Sequence, residues 1–365
     1  MIKLFYILLF AVCTLHAHSQ NLLSYRDSTG RKKPVTTFED WKLKRVQILE
    51  AMQKAMGKLP DRSDLPALDI QVSDSLKEES YIRYTISIAV AENERAPAYL
   101  YVPFQGSTPK KLPAMLVLHG TGDLGKQLVD GHSPMPNRAH AKELAQRGYV
   151  VIAPDYPSMG DLLDYNFEED SYQSGTMKGI VNHMHCIDVL QTREDVDPER
   201  IGVLGHSLGG HNAMFVGAFD TRLKVVVSSC GWTLFDFYDI GEEASRKYGG
   251  RLGPWAQDRY MPLLRDKYDL DSKKIPFDFD EVIAAIAPRP FFSNSPVNDS
   301  NFDVEGVREG IAAAAEVYIF LDAEENLQVW YPDAGHDFPS KVRLEAYRFI
   351  DKIFEHTPTR SEINE

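Results

Sequence analysis

Apolar residues fall into two rhythms along this chain, and the rhythm changes near residue 112. Before it, Phe38–Met56 carries Trp41, Val46, Leu49, Met52 and Met56 near helical spacing, and Gly57 and Pro60 follow. That pattern predicts one helix with a firm stop. Residues 68–72, 81–90 and 98–102 then read as strands. Tyr84, Ile86, Ile88 and Val90 share one face, as in an antiparallel sheet with one side toward water. From Leu112–Leu118 onward the strands become continuously apolar, as expected of strands buried on both faces. Strands at 149–153, 201–204, 225–229, 290–293 and 327–331 alternate with helices at 137–146, 176–191, 208–219, 304–315 and 341–354. This alternation predicts an α/β fold: one mixed, mostly parallel sheet flanked by helices, with right-handed crossovers.

Residues 231–287 interrupt the alternation. They hold Trp232, Phe235, Phe237, Tyr238, Tyr248, Trp255 and Tyr260, together with Gly249, Gly250 and Pro254. So long an insertion between two core strands reads as a lid or substrate-binding element. The division expected is a leader at 1–19, an N-terminal helix with antiparallel strands at 20–111, and a core at 112–358 carrying the insertion.

The leader reads as a cleaved signal peptide. Lys3 gives a positive start, residues 4–15 are nearly all apolar but too short to span a bilayer, and Ala17 and Ser19 are small residues where a signal peptidase reads. A buried N-terminal helix and a lipoprotein attached through Cys13 are the alternatives. A secreted or periplasmic chain would keep Cys186 and Cys230, which can pair or remain as buried free thiols; neither lies in a CxxC pair, so a zinc ribbon is excluded.

The chain has 365 residues, 43% hydrophobic and 25% charged, which excludes disorder and supports a sizeable core. With 40 basic against 53 acidic residues the net charge is −13, which argues against nucleic acid as a partner. No later segment has the apolar length of a membrane span.

The chemistry starts at residues 205–210, Gly-His-Ser-Leu-Gly-Gly, a G-x-S-x-G motif entered by a strand and left by a helix. A serine in so tight a turn projects its hydroxyl from the sheet edge, and side chains two residues to either side would collide, hence the glycines. A serine hydroxyl needs a base, and the base needs an orienting acid. In α/β-hydrolases, whose elbow this resembles, these follow in the order Ser, acid, His. Ser207 is then the nucleophile. His336, in the loop after strand 327–331, is the base; His211, four residues into the elbow helix, points elsewhere. The acid follows strand 290–293, where Asp299 and Asp303 compete; Asp299 is preferred because Asp303 has the position of a helix cap. The backbone amides of Leu208 and of Thr121, in the His119-Gly120-Thr121-Gly122 loop, are the expected oxyanion donors.

Two patterns distract. Residues 120–125 spell GxGxxG after a strand, and Asp155 ends the next strand, the place of the ribose-binding acid in a dinucleotide site. Gly131, Pro134 and Pro136 forbid the helix that a dinucleotide site requires. His183 and His185 stand two apart on a helix and so face different directions, which argues against a metal site. No metal or cofactor is expected.

The elbow, the HGTG loop, Asp299 and His336 resemble the α/β-hydrolase superfamily over about 112–355. The phrases at 143–156, 197–210 and 286–290 look like its dienelactone hydrolase, acetyl xylan esterase and prolyl oligopeptidase branch. Departures narrow the resemblance. Dienelactone hydrolases carry a cysteine where Ser207 stands. Glucuronoyl esterases place arginine directly after the serine, where this chain has Leu208. About 90 residues before Leu112 are too few for the propeller of a prolyl oligopeptidase. The resemblance implies a secreted serine esterase acting on acyl or methyl esters of carbohydrate, or on similar small esters. Trp232, Trp255 and Tyr260 then either stack on a sugar ring or pack the lid. The rival functions are a peptidase and a non-catalytic binding module on the same fold.

Overall fold

The computed structural model describes residues 21–62, 67–107 and 110–362. The expected leader at 1–19, with its expected cleavage site and Cys13, lies outside the described residues. Among those described, no helix is long and apolar enough to cross a membrane.

The chain opens with a short antiparallel pair, β1 (Ser24–Arg26) and β2 (Lys32–Pro34), which the hydrophobic pattern is too brief to announce. Helix α1 (Phe38–Met56) follows. Thr37 caps it by accepting from the Asp40 amide, and the Asp40 carboxylate accepts from the Thr37 amide in return. Three antiparallel strands come next: β3 (Ile70–Lys77), β4 (Tyr81–Ala91) and β5 (Glu94–Pro103). The expected strand at 68–72 is displaced to Ile70–Lys77 for a physical reason. Every residue of β3 is exposed, so no buried face marks its limits, and pairing with β4 alone sets its register.

The alternating region supplies β6 (Leu112–Leu118), α2 (His140–Gln146), β7 (Val150–Pro154), α3 (Gly175–Thr192), β8 (Val196–His206), α4 (Leu208–Phe219) and β9 (Leu223–Ser229). After α5 (Glu242–Tyr248), α6 (Leu263–Asp266) and α7 (Phe279–Ile286) come β10 (Phe291–Asn294), α8 (Val304–Phe320), β11 (Leu327–Trp330) and α9 (Ser340–Ile353). Helix α2 begins three residues later than expected, after Asn137 at φ 59°. Helix α8 runs past 315 because buried Val317 and Tyr318 continue its apolar face.

All strands but the first two form one nine-stranded sheet in the order β11-β10-β9-β8-β6-β7-β5-β4-β3. Pairing is parallel from β11 to β7 and antiparallel from β7 to β3. Strand order reverses direction between β8 and β6, which places the carboxyl ends of these neighbours at the usual ligand crevice of such sheets. One large core covers one face, with α1, α3, α4, α7 and α8; a second covers the other face with α2 and α9.

The segment at 231–287 is no detached flap. Its last part is α7, the crossover helix into β10, and its aromatic residues pack downward. Phe279 stacks on Phe215 of α4, with ring centroids 5.7 Å apart, and Phe235 lies between Phe277, Phe279 and Trp255. Two arginines hold the far end of α4. Arg45 donates to the Ala218 and Ala285 carbonyls, and Arg289 to those of Gly217, Asp220 and Leu223. Positive charge there suits the negative end of a helix dipole and fixes the helix that starts at Ser207.

Helix α7 brings three acidic groups inside. Glu281 pairs with Lys44 of α1 at 2.8 Å, while Asp278 accepts from the Phe235 and Phe279 amides. Burial, and then the charge of Glu281, push the Asp280 carboxyl from 3.8 up to about 7. A carboxyl raised in the folded state costs nothing while protonated in both states, and subtracts stability as the pH climbs from about 4 through 7. Asp280→Asn keeps an acceptor for the Glu281 amide. It should raise the melting temperature by a few degrees at pH 8 and leave it nearly unchanged at pH 4, as read by thermal denaturation at the two pH values.

Candidate active site

Ser207 joins β8 to α4 at φ 57° and ψ −119°, a conformation that side chains other than glycine seldom adopt. Its neighbours explain how this is tolerated. A Cβ on Gly205 would lie 2.1 Å from the Gly209 carbonyl oxygen, and one on Gly209 would lie 2.0 Å from that of Leu118. The turn therefore folds back on itself and presses against the end of β6. The Ser207 amide donates to the Ser229 carbonyl at 2.8 Å, tying the elbow to β9.

Asp299 and His336 follow the ends of β10 and β11. His336 Nδ1 lies 2.9 and 3.0 Å from the two Asp299 carboxylate oxygens. Asp299 also accepts from the Asn301 amide at 2.8 Å and the Phe302 amide at 3.3 Å, so its orientation is fixed from both sides. Asp303 is the N-cap of α8, accepting from the Glu305 amide at 2.8 Å. Ser207 and His336 face one cavity.

The loop carrying His336 is held by residues that the sequence reading did not single out. Arg138 donates to the His336 carbonyl at 3.0 Å and to the Asp337 carboxylate at 2.6 Å, where Asn137 also donates at 2.8 Å. From the opposite side the Asp337 carbonyl accepts from Asn294 at 2.9 Å and from the Cys230 thiol at 3.1 Å. These residues come from three segments far apart in sequence, and nothing in their local pattern points to His336. Cys230 and Cys186 are both free and buried. Among the described residues the one compact group of metal-ligand types is Cys230, Asp299 and His336, which is this acid–base pair and its neighbour.

Leu208 opens α4, where the first amides have no intrahelical acceptor. The loop of Thr121 lies alongside, since a Cβ on Gly120 would be 3.6 Å from that of Ser207. Buried His119 sets this loop. Its Nε2 accepts from the Tyr156 amide at 3.1 Å, so Nδ1 carries the proton and donates to the Gly120 carbonyl at 2.7 Å. Burial pushes its pKa down, which keeps this neutral tautomer. The Thr121 hydroxyl meets the half-buried Tyr260 hydroxyl at 3.0 Å. Asp155 is fully buried, pairs with Lys126 and lies directly against Gly125 and Gly160, which leaves no room for a ribose.

The cavity beside Ser207 holds about 350 Å³. Gly120–Leu124, Leu128, Val129, Ser133–Met135 and Arg138 wall it, and His140, His206 and His336 complete it. None of the three residues expected to stack on a sugar, Trp232, Trp255 and Tyr260, lines it, and for the two tryptophans the packing alternative is the one the structure shows. Trp232 is 1% exposed and donates its indole N–H to Ser293, while Trp255 is 4% exposed among His211, Phe235, Tyr238 and Phe279. Both rings are spent on the core. His211 is buried against Trp255 and the Gly231 carbonyl; His183 and His185 are buried on α3.

Comparison with known proteins agrees with this architecture. The family model described as glucuronyl esterase of fungi matches residues 167–322. A Bacillus subtilis protein named only as a hydrolase, YtaP, is 28% identical over 319 residues, covering 84% of this chain and 99% of its own. The 4-O-methyl-glucuronoyl methylesterase of Hypocrea jecorina is 22% identical over 357 residues, 90% of this chain and 69% of its own. Among solved structures, a carbohydrate esterase family 15 glucuronoyl esterase from Caldicellulosiruptor kristjansonii superposes with a TM-score of 0.67 at 18% identity, covering 96% of each chain. The chain has the α/β-hydrolase fold. Its relatives are named as hydrolases and esterases, consistent with a carboxylic ester hydrolase.

The two aspartates separate experimentally. Asp299→Asn should lower kcat by about 10⁴-fold, through the wrong imidazole tautomer and a destabilised imidazolium. Asp303→Asn should stay within a few-fold, because asparagine also caps helices. Steady-state kinetics on one ester decides between them. Arg138→Gln should lower kcat by about 10- to 100-fold with a smaller change in KM, because it loosens the His336 loop rather than removing a group from it.

Proposed function

We propose that this ester hydrolase is a secreted carbohydrate esterase that cleaves a carboxylic ester on a sugar through an acyl-enzyme on Ser207. The observation that carries the reading is the convergence at one cavity of Ser207, on its positive-φ turn, and His336, held by both oxygens of Asp299. His336 Nε2 takes the Ser207 proton as Oγ attacks the ester carbonyl. Negative charge grows on the carbonyl oxygen, where the Leu208 and Thr121 amides donate; each such donor is worth roughly 3–4 kcal/mol. The C–O bond to the alcohol breaks, and the imidazolium returns the proton to the departing oxygen. Water, deprotonated by the same imidazole, then attacks the acyl carbon, releases the acid and restores Ser207. Asp299 keeps the proton on Nδ1 and stabilises the cation between these steps.

The fungal glucuronyl esterase model and the methylesterase relative support an ester of a sugar acid as substrate. Leu208 stands where those enzymes are expected to carry an arginine. The side chain is buried against Tyr156, Met159 and Tyr260, so only its amide serves the oxyanion.

The test is hydrolysis of p-nitrophenyl acetate, acetylated xylan, a methyl hexuronate and an aminoacyl p-nitroanilide by purified protein, with Ser207→Ala alongside. Expected are turnover of the esters, greatest for a carbohydrate ester, and its loss by a factor of about 10⁴ or more in the variant. Anilide cleavage in preference to esters would assign a peptidase instead. Ester turnover that survives Ser207→Ala would remove the serine mechanism.

A further inference from the structure

We propose that His140, with His206, reads a hydroxyl group of the substrate at the base of the cavity beside Ser207, and so selects hydroxylated esters over plain ones. This rests on the reading of that site as an ester hydrolase and adds a specificity residue to it.

The cavity is asymmetric. Leu124, Leu128, Val129 and Met135 make one side apolar, while His140 and His206 line it from positions that are almost wholly inaccessible to bulk water. His140 opens α2 with its ring fully buried, and neither ring nitrogen has a hydrogen-bond partner. Burying two such groups without partners is costly, and a core position with no polar task would favour phenylalanine or leucine. His206 is similar on one side. The Ser229 hydroxyl accepts from Asn294 at 2.9 Å and lies 2.9 Å from His206 Nδ1. Nδ1 is thus engaged, while His206 Nε2 has no hydrogen-bond partner.

The two rings lie 6.2 Å apart, and His206 is 5.0 Å from the ring of His336. His140 thus brings one donor and one acceptor to the base of the cavity, and His206 Nε2 adds a third unpartnered nitrogen near the reacting centre. Burial holds both imidazoles below their ordinary pKa, so both are neutral. Arg138, the cation on the rim, is occupied by the His336 carbonyl and Asp337. Neutral, unpartnered imidazole nitrogens beside an apolar wall suit a compact group with one apolar face and one hydroxyl-bearing edge, which is the surface of a single sugar ring. A free carboxylate would find no available cation there.

The experiment uses the whole protein and two matched pairs of esters: methyl hexuronate against methyl cyclohexanecarboxylate, and an acetylated pentose against cyclohexyl acetate. Within at least one pair the wild type should favour the hydroxylated member by tenfold or more in kcat/KM. His140→Phe preserves the ring shape and removes the nitrogens; it should reduce that ratio to below about threefold, chiefly through KM of the hydroxylated member. His140→Asn, which restores a donor and an acceptor, should recover part of it. If His140→Phe fails to fold, the ratio in His140→Asn against His140→Leu is read instead. An unchanged ratio in the variants would overturn the proposal. Wild-type turnover with no preference in either pair would overturn it too, while leaving the esterase reading intact. No turnover of any ester by the folded wild type would instead bring down the esterase reading itself.

Discussion

The close crossing of backbone at Ser207 is the constraint on which the site depends. Gly205 and Gly209 touch across the turn, and Gly209 touches the end of β6. One contact thus fixes Ser207, the proposed nucleophile, together with the first amide of α4 and the start of the loop carrying Thr121. A methyl group at either glycine would separate elements that must converge within a hydrogen-bond length of one carbonyl oxygen. The positive φ of Ser207 costs of order 1–3 kcal/mol. That cost is sustained because both neighbouring strands are buried on both faces and α4 is clamped at its far end by Arg45 and Arg289.

The base is positioned by different means. His336 sits in a loop between β11 and α9, where no regular ladder holds it. Its backbone and that of Asp337 are instead pinned by Arg138 and Asn137 on one side and by Asn294 and Cys230 on the other. Charge-assisted bonds dominate on the solvent side, where they must compete with water, and neutral donors suffice on the buried side. The ring is then aimed by Asp299, whose carboxylate is set by two amides of its own turn. A rigid Ser207 and a braced His336 together would meet the geometric demand of the proposed acyl transfer.

What was legible in the sequence follows from what is local. The continuous apolar runs located the parallel strands, since a strand buried on both faces has no other composition. The elbow motif located Ser207 because steric collision dictates its glycines. Asp303 was separable from Asp299 because a helix cap is defined by the three residues after it. Arg138, Asn137 and Asn294 were not legible, since each acts across 40 to 200 residues of chain and through geometry alone. The edge strand β3 was misplaced because it buries nothing.

The insertion at 231–287 shows why aromatic content alone misleads about binding. A ring that stacks on a sugar and a ring that fills a core look the same in composition. What separates them is whether other aromatic residues lie within reach to cover both faces. Trp255 has Phe235, Tyr238, Phe279, Phe302 and His211 around it, so its faces are already paired. Phe302 in turn lies 5.9 Å from the ring of His336. The insertion therefore acts on the site from behind, as a packed aromatic wall beneath the base. The wall of the cavity is left to the segment after β6, which makes one short 3-10 helix at Gly125–Asp130 and then runs irregularly through Gly131, Pro134 and Pro136. Thr121, the proposed oxyanion donor, lies ahead of that short helix, so the same segment carries it and wraps the cavity.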